Sequence, residues 1–143
     1  MCQFIQGGIA KDRRGQIRFV NDFDMKDVKR FYIIKNSELE LIRGWRAHRI
    51  EQRWFYVLSG SFNLWLVKVD NWENTNRDLE VEKVILNSIE NKLIHIPSGF
   101  ATAFKALTPN SELLVFADHY LDHAPFDDYT FHLEYFTKFQ RNY

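Results

Sequence analysis

Cysteine, proline and glycine are all scarce in this 143-residue chain, which holds one Cys, three Pro and six Gly. A single Cys2 excludes an internal disulfide, and a chain of this length buries a core without one. The lone thiol fits a reducing, cytoplasmic setting. With so little Pro and Gly there is no linker and no low-complexity tract, so one domain over residues 1–143 is expected. No apolar run approaches the roughly 20 residues of a membrane-spanning helix. The start, "MCQFIQGGIAKDRR", lacks the apolar core of a secretory leader. An excess of one charge is also missing, since 19 basic residues match 19 acidic ones. That argues against a nucleic-acid protein held by a general basic field.

What the chain has in plenty is aromatic side chains, 16% of all residues. They are concentrated in short β-branched segments. "KRFYIIKN" (29–36) reads as a strand, and "RWFYVLSGSFNLWLVKVD" as two strands joined at Ser59-Gly60-Ser61. On the second of these, Phe62, Leu64 and Leu66 fall on one face, and Asn63, Trp65 and Val67 on the other. Both faces are largely apolar, which places that strand inside a sandwich or barrel. "NWENTNRD" (71–78) is a polar surface loop. "LEVEKVILN", "KLIHIP", "TAFKAL" and "ELLVFADHY" continue as short strands separated by turn signals. The pattern is all-β. The tail differs: Phe126, Tyr129, Leu133 and Phe136 recur at three- and four-residue intervals after Pro125. With Asp127 and Asp128 in a first turn, this spacing predicts a short C-terminal helix packed on the barrel.

The densest chemistry is "RGWRAHRIEQ", residues 43–52. Three readings compete for it. A metal site would pair His48 with Glu51 or Gln52, and with a residue of the "PSGFAT" turn. Arg46 cannot ligate a metal and Thr102 is a poor ligand, so no metal is expected. An anion site draws on Arg43, Arg46 and Arg49, since guanidinium forks bind phosphate bidentately. Trp45, Trp54 and Trp65 lie close by in sequence and could stack a base or sugar. On an ideal strand Arg43 and Arg49 share one face, while Arg46 shares the other with His48. The third reading is a solvated edge paired with Glu38, Glu40 and Glu51. His48 suits a general base or a structural role, His95 suits a core position, and His119, His123 and His132 suit structural or solvated ones.

"RGWRAHRIEQRWFYVLSGS", "IPSGFATAF" and "ELLVFADHY" resemble the cupin-fold dTDP-sugar enzymes, namely the dTDP-4-dehydrorhamnose 3,5-epimerases and the dTDP-4-keto-6-deoxyhexose 3,4-ketoisomerases. The likeness runs from about Asp12 to Phe136. It implies a cupin jelly-roll β-barrel and a pocket for a nucleotide-linked keto sugar. It also implies a homodimer with exchanged strands, and chemistry without metal or other cofactor. Arg43 resembles the family's phosphate-binding arginine. Arg14 in "DRRG" matches a second phosphate contact, and Asn36, Thr102 and Tyr120 fall at pocket-like positions.

The departures are specific. Relatives carry their catalytic His where this chain has Arg46, and the second His of the ketoisomerases is kept as His48. The acid Tyr of the epimerases corresponds to Val115, and the His of the Pro-x-Gly turn to Thr102. The resemblance therefore implies an isomerase in which His48 is the base and Arg46 steadies the enolate, with Arg43 and Arg14 on the diphosphate. The alternative is a degenerate cupin that binds a nucleotide sugar or a partner protein without turnover.

Overall fold

The computed structural model describes residues 2–141. Its strands are β1 (Gln3–Gln6), β2 (Gly8–Asp12), β3 (Gly15–Phe19), β4 (Arg30–Ile34), β5 (Ile42–His48) and β6 (Arg53–Ser59). They continue as β7 (Ser61–Lys68), β8 (Glu82–Asn87), β9 (Lys92–Ile96), β10 (Phe100–Ala106), β11 (Glu112–Ala117) and β12 (Tyr129–Thr130). Two five-stranded antiparallel sheets result. The first has the order β1-β9-β6-β11-β4 and the second β12-β5-β10-β7-β8. The strands β2 and β3 form a separate hairpin. This all-β architecture is the expected jelly roll, seen as two packed sheets.

Strand periodicity explains where the core lies. Phe55, Val57, Ile94, Ile96, Leu113 and Val115 of the first sheet meet Phe62, Leu64, Leu66, Leu86 and Phe104 of the second. The opposite face of the second sheet carries Trp45, Ala47, Trp65, Val67, Ala101 and Ala103, and it is buried as well. Phe136 and Phe139 from the tail cover it, edge-on to Trp45 with ring centroids 5.1 and 5.3 Å away. The doubly apolar β7 read from the sequence therefore has two partners, a sheet on one side and the tail on the other.

The tail is not the helix that its spacing predicts over 126–136. A short 3-10 helix does form, but one turn earlier, at Leu121–Phe126. Beyond it the chain runs along β5. Tyr129 and Thr130 pair with Ala47 and Arg46, and the backbones of Phe131 and Trp45 exchange hydrogen bonds. Tertiary pairing with an exposed strand edge outweighs the local periodicity. Phe126, expected on the packed face, is 83% exposed.

Candidate functional site

The inner faces of β4, β5, β6 and β10 leave the sandwich unfilled at one end. A cavity of about 830 Å³ opens there, within the range of small-molecule sites. Arg43, Arg46, His48 and Thr102 all line it. Arg30, Tyr32 and Arg53 line it too, and none of these three was singled out from the sequence. Their signal was present, because Arg30, Tyr32 and Ile34 share a face by simple alternation on β4.

Arg43 lies on the wall that an ideal strand would deny it. Opposite β10, Thr102 pairs with Arg46 and Phe104 with Arg43, so β5 spends three residues where β10 spends two. This bulge turns Arg43 onto the inner face beside Arg46 and His48, correcting the strict alternation that separates them. Gly44 permits it: a Cβ there would stand 2.3 Å from the Cβ of Ala103 and 2.7 Å from its Cα. Arg49 lies beyond the end of β5 and is exposed.

His48 is 7% exposed. Its Nδ1–H donates to the carbonyl oxygen of Asp127 at 2.8 Å, which leaves Nε2 with the lone pair. Nε2 is buried and has no hydrogen-bond partner among the described residues. Burial lowers the His48 pKa and the Arg53 charge adds to the effect, while Glu51 and Asp127 oppose it. A neutral imidazole with a bare Nε2 is the form that a general base requires.

Beneath the cavity wall sits a buried ion cluster. Glu51, 4% exposed, accepts from Arg53 Nε at 2.8 Å and from Arg30 Nη2 at 3.2 Å. Both guanidiniums lie against the Tyr32 ring, 5.3 and 5.8 Å from its centroid. Glu51 thus pairs with Arg53, two residues on, and with the distant Arg30, rather than with Arg43, Arg46 or Arg49. Asp127 is equally buried. Its carboxylate accepts from the backbone N–H groups of Arg49, Ile50 and Glu51 at 2.7–3.1 Å. One tail residue thereby closes the turn that carries His48 and Glu51. The sequence reading gave Asp127 a helix-dipole role, and its real partners lie on the β5–β6 turn.

The other expected residues divide between the cavity and the surface. Arg46 is half exposed and its Nε is 3.4 Å from Asp128 Oδ1. Thr102 is buried on β10 opposite Arg46. Asn36 accepts from Arg43 Nε at 2.8 Å, which makes it a support for that side chain. Tyr120 is exposed under the Lys29 ammonium. Arg14 sits at the tip of the β2–β3 hairpin, 84% exposed and bonded to Asp12. None of Asn36, Tyr120 and Arg14 is among the residues lining the cavity. Trp54 stacks on His95 at 5.0 Å on the first sheet, and Trp65 is buried against the tail, so neither reaches the cavity. Among the described residues no group of three or more His, Cys, Asp or Glu could hold a metal ion, and no helix is long and apolar enough to cross a membrane.

Comparisons with known proteins agree with this architecture. QdtA, a sugar 3,4-ketoisomerase from Thermoanaerobacterium thermosaccharolyticum solved with TDP, superposes with a TM-score of 0.72 at 20% identity, over 96% of this chain and 93% of that one. The WlaRB TDP-quinovose 3,4-ketoisomerase of Campylobacter jejuni gives 0.70 at 23% identity, over 96% and 98%. A dTDP-4-dehydrorhamnose 3,5-epimerase of Bacillus anthracis gives 0.74 at 17%, over 93% and 79%. At these identities the likeness is one of fold. No curated protein matches the chain by sequence. The family described as "FdtA: WxcM-like, C-terminal" matches residues 1–141, nearly the whole chain, and the protein belongs to that family.

Proposed function

We propose that the protein is a cytoplasmic nucleotide-sugar isomerase. Its substrate is a dTDP-4-keto-6-deoxyhexose, and the reaction begins by removing a proton from the carbon beside the ketone. The observation that carries this reading is His48, its Nδ1–H held by the Asp127 carbonyl, lining one cavity with Arg43 and Arg46. His48 takes the proton, and the electrons of the broken C–H bond move onto the ketone oxygen. Arg46 meets the resulting enolate, whose charge a nearby guanidinium stabilises in a shielded site. Arg43, held by Asn36, binds the diphosphate. Thr102 is a minor substrate contact in this scheme, and Tyr120, which lies outside the cavity, has no part in it.

The working form in this reading is a homodimer with exchanged strands. Phe31 and Ile33 on the outer face of the first sheet are 64% and 49% exposed, and Phe4 of its edge strand is 45% exposed. Arg14 lies outside its own chain's cavity and would reach the diphosphate in the partner's. The test is incubation with a dTDP-4-keto-6-deoxyhexose in deuterated water, with exchange at C3 and C5 followed by NMR. Exchange that vanishes in His48→Ala upholds the enzyme. Saturable dTDP binding without exchange indicates instead the binding cupin, a reading favoured by Arg46 standing where relatives place their base. Neither binding nor exchange would sink both.

A further inference from the structure

Glu51 holds two arginines at once. Its Oε2 accepts from Arg53 Nε and its Oε1 from Arg30 Nη2. Both arginines line the large cavity. Ala117 of β11 is paired with Arg30 of β4 on one side and with Arg53 of β6 on the other. Ala117 is fully buried, so the middle strand sets only a methyl group between the two arginines. A guanidinium carries five N–H groups. Arg30 donates to Glu51 and to the carbonyl oxygen of His119. Arg53 donates through Nε, and its Nη1 and Nη2 have no hydrogen-bond partner among the described residues. Its side chain is nevertheless only 13% exposed. The pair also stands apart from Arg43. Arg53 opens β6 just past the turn that follows His48, whereas Arg43 lies near the start of β5, roughly 15 Å back along the strand.

We propose that Arg53, steadied by Glu51 and Arg30, is the residue that reads the sugar ring. Its free fork donates to the ketone oxygen and to the hydroxyl oxygen on the neighbouring carbon. The proposal rests on the nucleotide-sugar reading above and adds the direction in which the ligand lies, diphosphate at Arg43 and hexose at Arg53. An α-hydroxyketone offers two adjacent acceptor oxygens, and a planar fork meets such a pair with two parallel hydrogen bonds. As the proton leaves carbon, the electron pair of the C–H bond passes onto the ketone oxygen. That charge falls against a cation shielded from water. Arg46 meets it from the second sheet, but its side chain is 57% exposed. Tyr32, with the guanidiniums of Arg30 and Arg53 against its ring, limits how far either can swing.

The test compares the affinities of dTDP and of a dTDP-4-keto-6-deoxyhexose by isothermal titration, since their ratio isolates the sugar. In the wild type the sugar is expected to tighten binding roughly tenfold. Arg53→Gln is expected to remove most of that gain and to leave dTDP binding within about twofold of wild type. Arg53→Lys keeps a charge beside Glu51 but has no fork, and it should lose most of the gain as well. If the Gln variant does not fold, the Lys variant carries the comparison. An unchanged gain in the variants would overturn the assignment. Equal weakening of both ligands would overturn it too, by showing a merely structural role. A wild type that binds the two ligands equally well would leave the nucleotide reading standing and sink the sugar contact alone. Failure of the wild type to bind dTDP would sink the nucleotide-sugar reading itself, and the assignment with it.

Discussion

The Nδ1–H of His48 and the backbone carbonyl of Asp127 meet at 2.8 Å across 79 positions of sequence. A carbonyl can only accept, so this bond determines which ring nitrogen is the base. Burial and the Arg53 charge hold the pKa below its ordinary 6.5. The acid limb of the pH–rate profile for C3 or C5 exchange is therefore expected below pH 6.5. A limb above that value would show that another group titrates.

Two histidines make the fold acid-sensitive. His48 and His95 both have pKa values lowered by burial from 6.5, the value each regains on unfolding. Below 6.5 and above the folded values, the unfolded chain binds more protons than the native one. Stability is then complete above about pH 6.5 and falls as the pH drops below it. Urea midpoints at pH 7.5 and 5.5 measure the loss, and His48→Gln should reduce it. A midpoint that rises on acidification contradicts the assignment.

Asp127→Ala strands three backbone N–H donors, those of Arg49, Ile50 and the buried Glu51. The expected cost is on the order of 3 kcal/mol in urea unfolding. Asp127→Asn keeps one acceptor oxygen and should cost about half as much. Equal midpoints for wild type and the Ala variant would show that the turn holds itself.

Gly44→Ala places a methyl against the backbone of Ala103 at the bulge that turns Arg43 inward. Overlap with a paired strand cannot be relieved by rotating a side chain. A loss of at least about 2 kcal/mol is expected, together with weakened dTDP binding. Unchanged calorimetric melting and affinity would mean that the two strands separate freely.

Arg43→Ala removes a charge-assisted contact to a diphosphate. The expected drop in dTDP affinity is roughly 10- to 100-fold, and Arg43→Lys should recover only part of it. Asn36→Ala, which frees the Arg43 fork, should cost about threefold. Isothermal titration at two salt concentrations checks both, and equal affinities across the series would place the anion elsewhere.

The sheet pattern was legible in the chain because strand alternation is local. "FNLWLVKV" shows two apolar faces at sight, and both proved buried. Arg43, Arg46 and His48 stood out in the chain as dense ionisable groups beside an apolar run, and Thr102 through its place after the Pro-x-Gly turn, and the fold lines one cavity with all four. Local periodicity could not settle which wall Arg43 faces, because a bulge depends on the register of a partner strand. Nor could it settle the tail, where a helical spacing yielded to the open edge of β5. The bond of Arg30 to Glu51 and those of Asp127 to the β5–β6 turn join residues 21 to 79 positions apart. Only chain closure brings them together, so the sequence determined which groups were available and the tertiary fold decided their partners.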